Sequence, residues 1–351
     1  MIPGSTPSPA TLSPADTPPV LRVEQLRVTF PTADGDARAV DGVSFEVYNG
    51  ETVCVVGESG CGKSVTALSL LHLVPSPGVI AADSRITIAG QELLRLPDRE
   101  LRALRGRVVS MIFQEPMTAL NPVLTIGDQV AEVVRVHTGA TKRAAWQQAV
   151  TMLADVGIAD AAARAQQYPH ELSGGMRQRV MIAMALILQP RLVIADEPTT
   201  ALDVTIQAQI LELLRARRDA TGLALLLITH DLGVVAEMAS RVLVMYAGEI
   251  VEAAPVEALF ANPSHPYTQG LLAAVPRLDR LTKRLQTVPG TVPAATDWPT
   301  GCRFQDRCAS VFDRCRTEPP TLRTIETGHA VRCHLVDEPH RRRNAVTEGA
   351  A

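Results

Sequence analysis

A glycine-rich octapeptide between an apolar run and a helix-like run constrains this chain more than any other feature. Residues 57–64 read Gly-Glu-Ser-Gly-Cys-Gly-Lys-Ser and fill every required position of the pattern G-x-x-x-x-G-K-S. The continuous apolar run at 52–56 is typical of a strand buried on both faces. The run at 65–74 is apolar and periodic, which predicts a helix. A strand, a glycine-rich turn and a helix in this order predict a phosphate-binding loop.

The chemistry of the loop follows from its residue types. Glycines let the backbone wrap around phosphates, and the loop N–H groups and the helix N-terminus point toward negative charge. The Lys63 ammonium is expected to reach the β- and γ-phosphates, and the Ser64 hydroxyl to hold Mg²⁺. We therefore predict contact with a nucleotide for the whole loop: Gly57, Glu58, Ser59, Gly60, Cys61, Gly62, Lys63 and Ser64.

A second apolar strand ends in two carboxylates. Residues 192–198 read Leu-Val-Ile-Ala-Asp-Glu-Pro. Asp196 at the strand end is predicted to support Mg²⁺. Glu197 is predicted to orient and activate an attacking water as a general base. The alternative, two solvated strand-end carboxylates, is weakened by the phosphate loop upstream.

Strands and helices alternate along most of the chain. Strands are predicted at 21–30 and 39–47, joined by a hairpin turn at 32–36 with an Asp-Gly pair. Further buried strands are predicted at 192–195 and 224–228, separated by a helix at 204–218. This alternation predicts an α/β fold with a mostly parallel sheet. A helical insertion is expected over about 115–180.

Composition bounds the class of protein. The chain has 351 residues, of which 46% are hydrophobic and 20% charged, enough for one large domain and a smaller one. The net charge of −3 argues against a nucleic-acid binder, whose surface is usually strongly positive. No apolar run approaches the roughly 18 residues of a membrane helix, and no signal peptide is recognised. A cytosolic protein is therefore expected, with any membrane role carried by a partner.

The composition also shifts along the chain, which divides it into four expected parts. A disordered tail is expected over 1–19, because Pro, Ser and Thr dominate there. The main domain is expected over 20–261 and a Pro-rich extension over 262–339. A flexible tail is expected over 340–351.

Residues 172–179, Leu-Ser-Gly-Gly-Met-Arg-Gln-Arg, resemble the signature motif of ATP-binding cassette (ABC) ATPases. Gln114 resembles the glutamine-loop residue of that family, and Ala201-Leu202-Asp203 its D-loop. His230 resembles the switch histidine, and Phe30 is similar in position to the aromatic residue that stacks on adenine. The resemblance covers about residues 20–260. It implies a nucleotide-binding domain with a mixed sheet core, an antiparallel β subdomain and the helical insertion.

This resemblance also implies roles for the matching residues. Glu197, His230 and Gln114 would serve catalysis, and Ser64, Gln114 and Asp196 would hold Mg²⁺. Because Ser173 and Gly174 open a helix, their N–H groups form a second anion site. Such a site makes sense if two chains face head to tail, each signature capping the nucleotide of its partner. The implied ATP contacts outside the phosphate loop are Phe30, Ser173, Gly174, Gly175, Asp196 and Asp203. For Phe30, a core aromatic is an open alternative, because the hairpin shifts the register.

The extension carries two further signals. Residues 262–272 resemble the segment that marks the oligopeptide/dipeptide importer subgroup. Four cysteines follow, separated by five, six and seventeen residues: Cys302, Cys308, Cys315 and Cys333. Thiolates suit iron–sulfur clusters or zinc, and this spacing is wider than that of a zinc knuckle. In that subgroup the extension is associated with an iron–sulfur cluster, which implies [4Fe–4S]. Zinc and unmetallated structural cysteines remain alternatives.

The subgroup resemblance implies the ATPase subunit of a binding-protein-dependent peptide importer. The implied partners are a second, similar ATPase in a heterodimer, two membrane permease subunits and an extracellular or periplasmic peptide-binding protein. The implied location is the cytoplasmic face of the membrane, and no nucleic-acid partner is expected. One alternative is a soluble cassette ATPase of DNA repair, translation or Fe–S assembly. Another is an importer of nickel or haem.

Overall fold

The computed structural model describes residues 18–200, 202–274 and 288–341. Residues 1–17 and 342–351, which make up most of the tails expected at 1–19 and 340–351, lie outside these residues. So do 275–287 of the expected extension and Ala201 of the predicted D-loop. The strands, in chain order, are β1 (Leu21–Thr32), β2 (Gly35–Val47), β3 (Thr52–Val56), β4 (Val79–Ile80), β5 (Arg85–Ile88), β6 (Gln91–Glu92), β7 (Val109–Ile112), β8 (Leu192–Asp196), β9 (Ala224–Ile228), β10 (Arg241–Tyr246), β11 (Glu249–Pro255), β12 (Arg323–Glu326) and β13 (His329–Val331).

The α-helices of the described residues connect these strands or pack beside them. In chain order they are α1 (Lys63–Ser69), α2 (Asp98–Leu104), α3 (Pro116–Ala119), α4 (Ile126–Thr138), α5 (Lys142–Asp155), α6 (Ala161–Arg164), α7 (Gly174–Leu186), α8 (Val204–Thr221), α9 (Leu232–Met238), α10 (Val256–Ala261), α11 (Pro266–Ala273) and α12 (Asp313–Thr317). None of these helices is long and apolar enough to cross a membrane.

An antiparallel sheet begins the domain, in the order β2-β1-β5-β6 with β4 also paired to β1. The predicted hairpin is confirmed, because Thr32 pairs with Gly35 across a two-residue turn. Gly35 has φ 113°, a backbone angle that side chains with a Cβ rarely adopt. Both strands exceed their predicted lengths at the turn.

The larger sheet is mixed, in the order β12-β13-β11-β10-β3-β9-β8-β7. Strands β10, β3, β9, β8 and β7 run parallel, and the others are antiparallel. β3 is buried on both faces, as its apolar run predicts. Cys54 and Val56 face one hydrophobic core, while Val53 and Val55 face the other. The predicted mixed α/β architecture is confirmed.

Helix α1 is shorter than its periodic pattern predicts. It ends at Ser69 rather than near residue 74, and His72 already has a left-handed φ of 51°. Pro75 disfavours helical geometry in the residue before it, which limits how far the helix can extend. The apolar residues beyond Ser69 still pack into the core, as Leu70 and Leu71 are buried.

The predicted helical insertion contains α3 to α7. Threonine side chains cap two of its longer helices, with Thr125 accepting from the Asp128 N–H and Thr141 from the Ala144 N–H. Helices α4 and α5 pack closely because Gly127 leaves room for Trp146. A Cβ on Gly127 would lie 2.6 Å from the indole ring.

The C-terminal extension continues the main sheet. β13 pairs antiparallel with β11, placing Glu252 opposite Val331, and β12 pairs with β13. Sequence patterning missed both strands, because they are short and β12 is mostly exposed. The sheet therefore crosses the boundary expected at residue 261.

Candidate nucleotide site

The phosphate loop follows β3 and adopts a shape that only glycine permits at two positions. A Cβ on Gly57 would lie 2.2 Å from the Met245 carbonyl oxygen. Gly62 has φ 102°, and a Cβ there would lie 2.4 Å from the Ala39 carbonyl oxygen. The loop is thus pressed against neighbouring backbone at these two glycines.

Lys63 lies inside this loop. Its ammonium donates to the carbonyl oxygens of Gly57 at 2.8 Å and Glu58 at 2.9 Å. Cys61 Sγ is 3.7 Å from the same nitrogen, and burial raises the pKa of this thiol. Cys61 is therefore a neutral packing residue.

Asp196, at the end of β8, has an unused acceptor. It is only 4% exposed, and its Oδ1 accepts no hydrogen bond from the residues that the structure describes. Burial raises the pKa of Asp196, and the hydrogen bond from Ser64 offsets this in part. A buried carboxylate oxygen beside a hydroxyl, both oxygen donors, fits the ligand preference of Mg²⁺.

Glu197 joins the other candidate catalytic side chains. Its Oε2 accepts from the Gln114 side-chain amide at 3.1 Å and from the Thr200 hydroxyl at 2.8 Å. Its Oε1 lies 3.2 Å from His230 Nδ1. Burial alone would raise the pKa of Glu197, but the hydrogen bonds from Thr200 and His230 outweigh it and hold the pKa below its usual value. Glu197 is therefore ionised at neutral pH.

The backbone of Glu197 is strained. Its φ is 47°, in the left-handed region that a glutamate occupies at a cost of about 1–3 kcal/mol. Its N–H donates to the Ile228 carbonyl of β9 at 2.9 Å, which fixes the turn after β8. Strain of this kind persists where the surrounding structure requires one side-chain direction.

Sheet order explains why these residues meet. Gln114 follows β7 and Glu197 follows β8, while His230 follows β9 and the loop follows β3. These strands are parallel neighbours, so their carboxyl ends share one edge of the sheet. The predicted grouping of Lys63, Asp196, Glu197, Gln114 and His230 thus has a single structural origin.

The signature residues lie on a different element. Ser173 caps α7 by accepting from the Met176 N–H, and Ser173 and Gly174 are exposed. Helix α7 packs on α3, α4 and α5, whereas α1 of the phosphate loop packs on β1, β2 and β8. Gly175 approaches Ile206 of the helix that Asp203 caps. The chain therefore offers a second exposed helix start, apart from its own phosphate loop.

Phe30 is half-buried on β1. Its ring lies against Gly78, where a Cβ would come within 2.6 Å of it, and it packs on the hydrophobic core formed with the antiparallel sheet. Phe30 therefore packs as a core aromatic, the alternative named above, and the exposed part of its ring faces solvent.

The four distal cysteines line one cavity, which His265 and His334 also border. The cavity measures about 10 Å³, room for roughly one water molecule. Cys302, Cys308 and Cys315 are thiols, and burial raises the pKa of Cys302 to about 12 and of Cys308 to about 11. Within the described ranges, no group of three or more Cys, His, Asp or Glu side chains is positioned to hold a metal ion.

Sequence reasoning missed several residues that shape the site. Thr200 was not singled out, although it lies three residues after Glu197 and donates to it. Arg307 and Tyr267 come from the extension and contact Glu58 of the phosphate loop. Tyr267 lies within the importer-type segment and Arg307 is next to Cys308, but neither signal identifies Glu58 as the contact partner.

Comparison with known proteins gives the family. A protein-family model described as "ABC transporter" matches residues 40–200. A second family model, described as "Oligopeptide/dipeptide transporter, C-terminal region", matches residues 251–315. The chain is 50% identical over 332 residues to the dipeptide transport ATP-binding protein DppD of Bacillus subtilis, covering 95% of this chain and 98% of that protein. It is 50% identical over 319 residues to the oligopeptide transport ATP-binding protein AppD of the same organism, covering 91% and 97%.

Solved structures agree at the level of the cassette. The dimeric, ADP- and phosphate-bound structure of the ATP-binding cassette MJ0796 aligns with a TM-score of 0.60 at 26% identity, covering 67% of this chain and 98% of that one. The second family model matches part of the extension as well. The chain therefore belongs to the ABC transporter ATPases, within their oligopeptide/dipeptide importer subgroup.

Proposed function

We propose that this chain is the ATP-hydrolysing subunit of a binding-protein-dependent importer of oligopeptides or dipeptides. The proposal rests on the 50% sequence identity to dipeptide and oligopeptide transport ATP-binding proteins, which extends over both the cassette and the extension. The reaction is ATP + H₂O → ADP + phosphate, coupled to movement of the permease.

Nucleotide binding follows from the loop geometry. Lys63 and the loop N–H groups would bind the β- and γ-phosphates of ATP. Ser64, Asp196 and Gln114 would hold Mg²⁺, with the unused Asp196 Oδ1 as the supporting observation. The ion would neutralise charge that develops on the phosphates.

Hydrolysis would be carried by the residues around Glu197. Its ionised carboxylate can accept a hydrogen bond from a water, orient it toward the γ-phosphorus and take its proton. His230, whose imidazole is within hydrogen-bonding distance of Glu197, would contact the γ-phosphate. Gln114 would report the state of the nucleotide to the helical insertion.

Two ATPase subunits, arranged head to tail, would together form two ATP sites. The exposed start of α7 supports this, since it lies on a different element from the chain's own phosphate loop, and Ser173, Gly174 and Gly175 could there cap a phosphate bound to another chain. Asp203 would lie at the same interface. The similar cassette MJ0796 is described as dimeric with ADP and phosphate bound. We propose a heterodimer with a second, homologous ATPase.

Permease docking is supported by apolar side chains near Gln114. Phe113 is 38% exposed, Met117 59% and Val123 74%. Exposed apolar residues grouped beside a nucleotide-sensing loop suit contact with another protein. We propose two permease subunits and an extracellular or periplasmic peptide-binding protein as partners, with this chain on the cytoplasmic face of the membrane.

Affinity purification of the tagged chain from membranes tests this function. We expect two permease subunits and a second ATPase by mass spectrometry, and loss of labelled-dipeptide uptake when the gene is deleted. Recovery only with ribosomes or DNA would instead favour a non-transport ATPase. Intact dipeptide uptake with lost nickel or haem uptake would contradict the peptide cargo.

We also propose that residues 20–261 form the nucleotide-binding domain and 262–339 an importer-type extension that holds a [4Fe–4S] cluster. Four cysteines around one cavity, of which Cys315 and Cys333 are buried and Cys302 and Cys308 partly buried, supply the donor set that such a cluster uses. The cavity is narrow in the thiol state, so the side chains would have to move apart and lose their protons on loading. Zinc is the alternative occupant.

Anaerobic purification tests the cluster. We expect brown protein with iron and sulfide in near-equal amounts, about four of each per chain. A Cys315→Ser variant should lose most of the iron, whereas Cys54→Ser, a buried cysteine outside the extension, should retain it. Colourless protein, with zinc or with no metal, would contradict the proposal.

A further inference from the structure

Glu58 of the phosphate loop is held at each of its polar groups. Its carbonyl oxygen accepts from the Lys63 ammonium at 2.9 Å. Its N–H donates to the Tyr267 hydroxyl at 2.8 Å, and its carboxylate accepts from the Arg307 guanidinium. Tyr267 and Arg307 both belong to the extension. Two of the restraints on this loop residue therefore come from outside the motif that binds phosphate.

The contact between Arg307 and Glu58 is bidentate. Nη1 donates to Oε2 at 2.6 Å and Nη2 donates to Oε1 at 2.9 Å. The Arg307 side chain is 5% exposed and that of Glu58 28%. A planar guanidinium that binds both carboxylate oxygens fixes the orientation of the carboxylate as well as its position.

Arg307 is in turn fixed by its own segment. Its Nε donates to the Pro289 carbonyl at 2.6 Å, and its guanidinium lies 5.6 Å from the centre of the Tyr246 ring. Burial alone would lower the pKa of Arg307, but the hydrogen bonds to Glu58 and Tyr246 outweigh it and raise the pKa. The side chain is therefore a charged, rigid donor aimed at the phosphate loop.

Tyr267 reaches the loop from α11. Its ring is fully buried and packs against Tyr246 and Phe304, with ring centres 4.7 Å and 5.4 Å away. Phe304 lies between Cys302 and Arg307 in the chain and borders the cysteine cavity. The aromatic cluster thus joins the two residues that touch Glu58 into one packed unit.

We propose that Arg307 and Tyr267 are positioning residues that keep the phosphate loop in its ATP-binding shape, so that the extension helps to set nucleotide affinity. The inference rests on the proposed ATP site. Neither residue needs to touch the nucleotide, because both act through Glu58, whose carbonyl oxygen also holds Lys63.

The expected effect follows from preorganisation. When only a fraction of molecules has the binding-competent loop, the apparent dissociation constant rises by the inverse of that fraction. If loss of the Arg307 contact leaves the loop competent about a tenth of the time, ATP binds roughly tenfold more weakly. Once ATP is bound the loop is ordered by the phosphates, so kcat changes little.

The test measures the affinity of the purified full-length chain for Mg·ATP by calorimetry, with KM, kcat and thermal unfolding in parallel. Arg307→Gln should raise Kd and KM about tenfold and leave kcat within about twofold. Arg307→Lys should recover part of the affinity, since it keeps the positive charge but cannot bind both carboxylate oxygens as the guanidinium does. Tyr267→Phe keeps the packed ring and removes only the acceptor, so we expect a smaller rise of about threefold.

Arg303→Gln is the matched control. Arg303 also adjoins a cysteine and ties the extension to the cassette, but through Asp41 and the Ala247 carbonyl rather than the phosphate loop. We expect it to lower the unfolding temperature while leaving the Kd for ATP within about twofold. The Glu58→Gln/Arg307→Gln double variant should bind ATP no worse than Arg307→Gln, since both changes remove one contact.

Two results would overturn the inference: unchanged affinity in Arg307→Gln, or an equal loss in Arg303→Gln, which would indicate general destabilisation. Failure of the wild-type chain to bind Mg·ATP at all would instead refute the proposed function. The Tyr267→Phe result decides the matter if Arg307→Gln does not fold.

Discussion

Glu197→Gln is expected to lower the rate of ATP hydrolysis by about a hundredfold or more while ATP still binds. A positioned general base contributes about 10²–10⁴-fold to rate. The glutamine keeps the shape of the side chain and an oxygen that can accept from Thr200, but it cannot take a proton from water. Phosphate release under saturating ATP measures the rate, and equilibrium titration measures binding.

The same variant should accumulate ATP-bound dimers, because hydrolysis no longer opens them. Size-exclusion chromatography with and without ATP shows this directly. Glu115→Gln is the control, since it removes an exposed carboxylate next to Gln114; its turnover should stay within about twofold of wild type. Normal turnover in Glu197→Gln would remove this residue from the catalytic role.

Glu252→Ala should cause the largest loss of stability, about 3–5 kcal/mol in the free energy of unfolding. Glu252 is fully buried on β11. Its carboxylate accepts from the N–H groups of Ser264 at 2.6 Å and His265 at 2.9 Å, and lies 2.8 Å from His329 Nε2. Alanine would leave these buried donors without an acceptor. Denaturation in urea measures the difference.

Glu252→Gln should lose less, because the amide keeps one acceptor oxygen, and it serves as a measurable variant if the alanine protein does not accumulate. Glu326→Ala is the matched control on β12, two strands away in the same sheet, where the side chain is exposed and a change within about 0.5 kcal/mol is expected. Equal stabilities of Glu252→Ala and Glu326→Ala would show that the buried carboxylate contributes little.

The candidate phosphate-loop residues, and those that follow a buried strand, were predictable because their geometry is local. The loop around Lys63 needs only a strand, glycines and a helix in sequence, and the sheet then brings Glu197 and His230 to the same edge. Continuous apolar runs also gave β3 and β9 with the bounds that the structure has.

Contacts between the extension and the cassette could not be predicted in this way. Glu58 and Arg307 are 249 positions apart, and neither residue type specifies the other as its partner. His265 shows the same limit: burial lowers its pKa to about 3, and its Nδ1 caps α11 by accepting from the Tyr267 N–H. Such roles depend on burial, which arises only once the whole chain has packed.

The pairing of β13 with β11 has a consequence for how the cassette can be handled as a separate piece. A chain that stops at residue 261 would leave the β11 backbone N–H and C=O groups of Glu252 and Ala253 without their partners Val331 and Ala330. An uncovered strand edge is a template for pairing with other chains, and natural sheets protect such edges against aggregation. The extension thus covers the edge of the nucleotide-binding sheet. Its removal is expected to make the shortened chain less soluble.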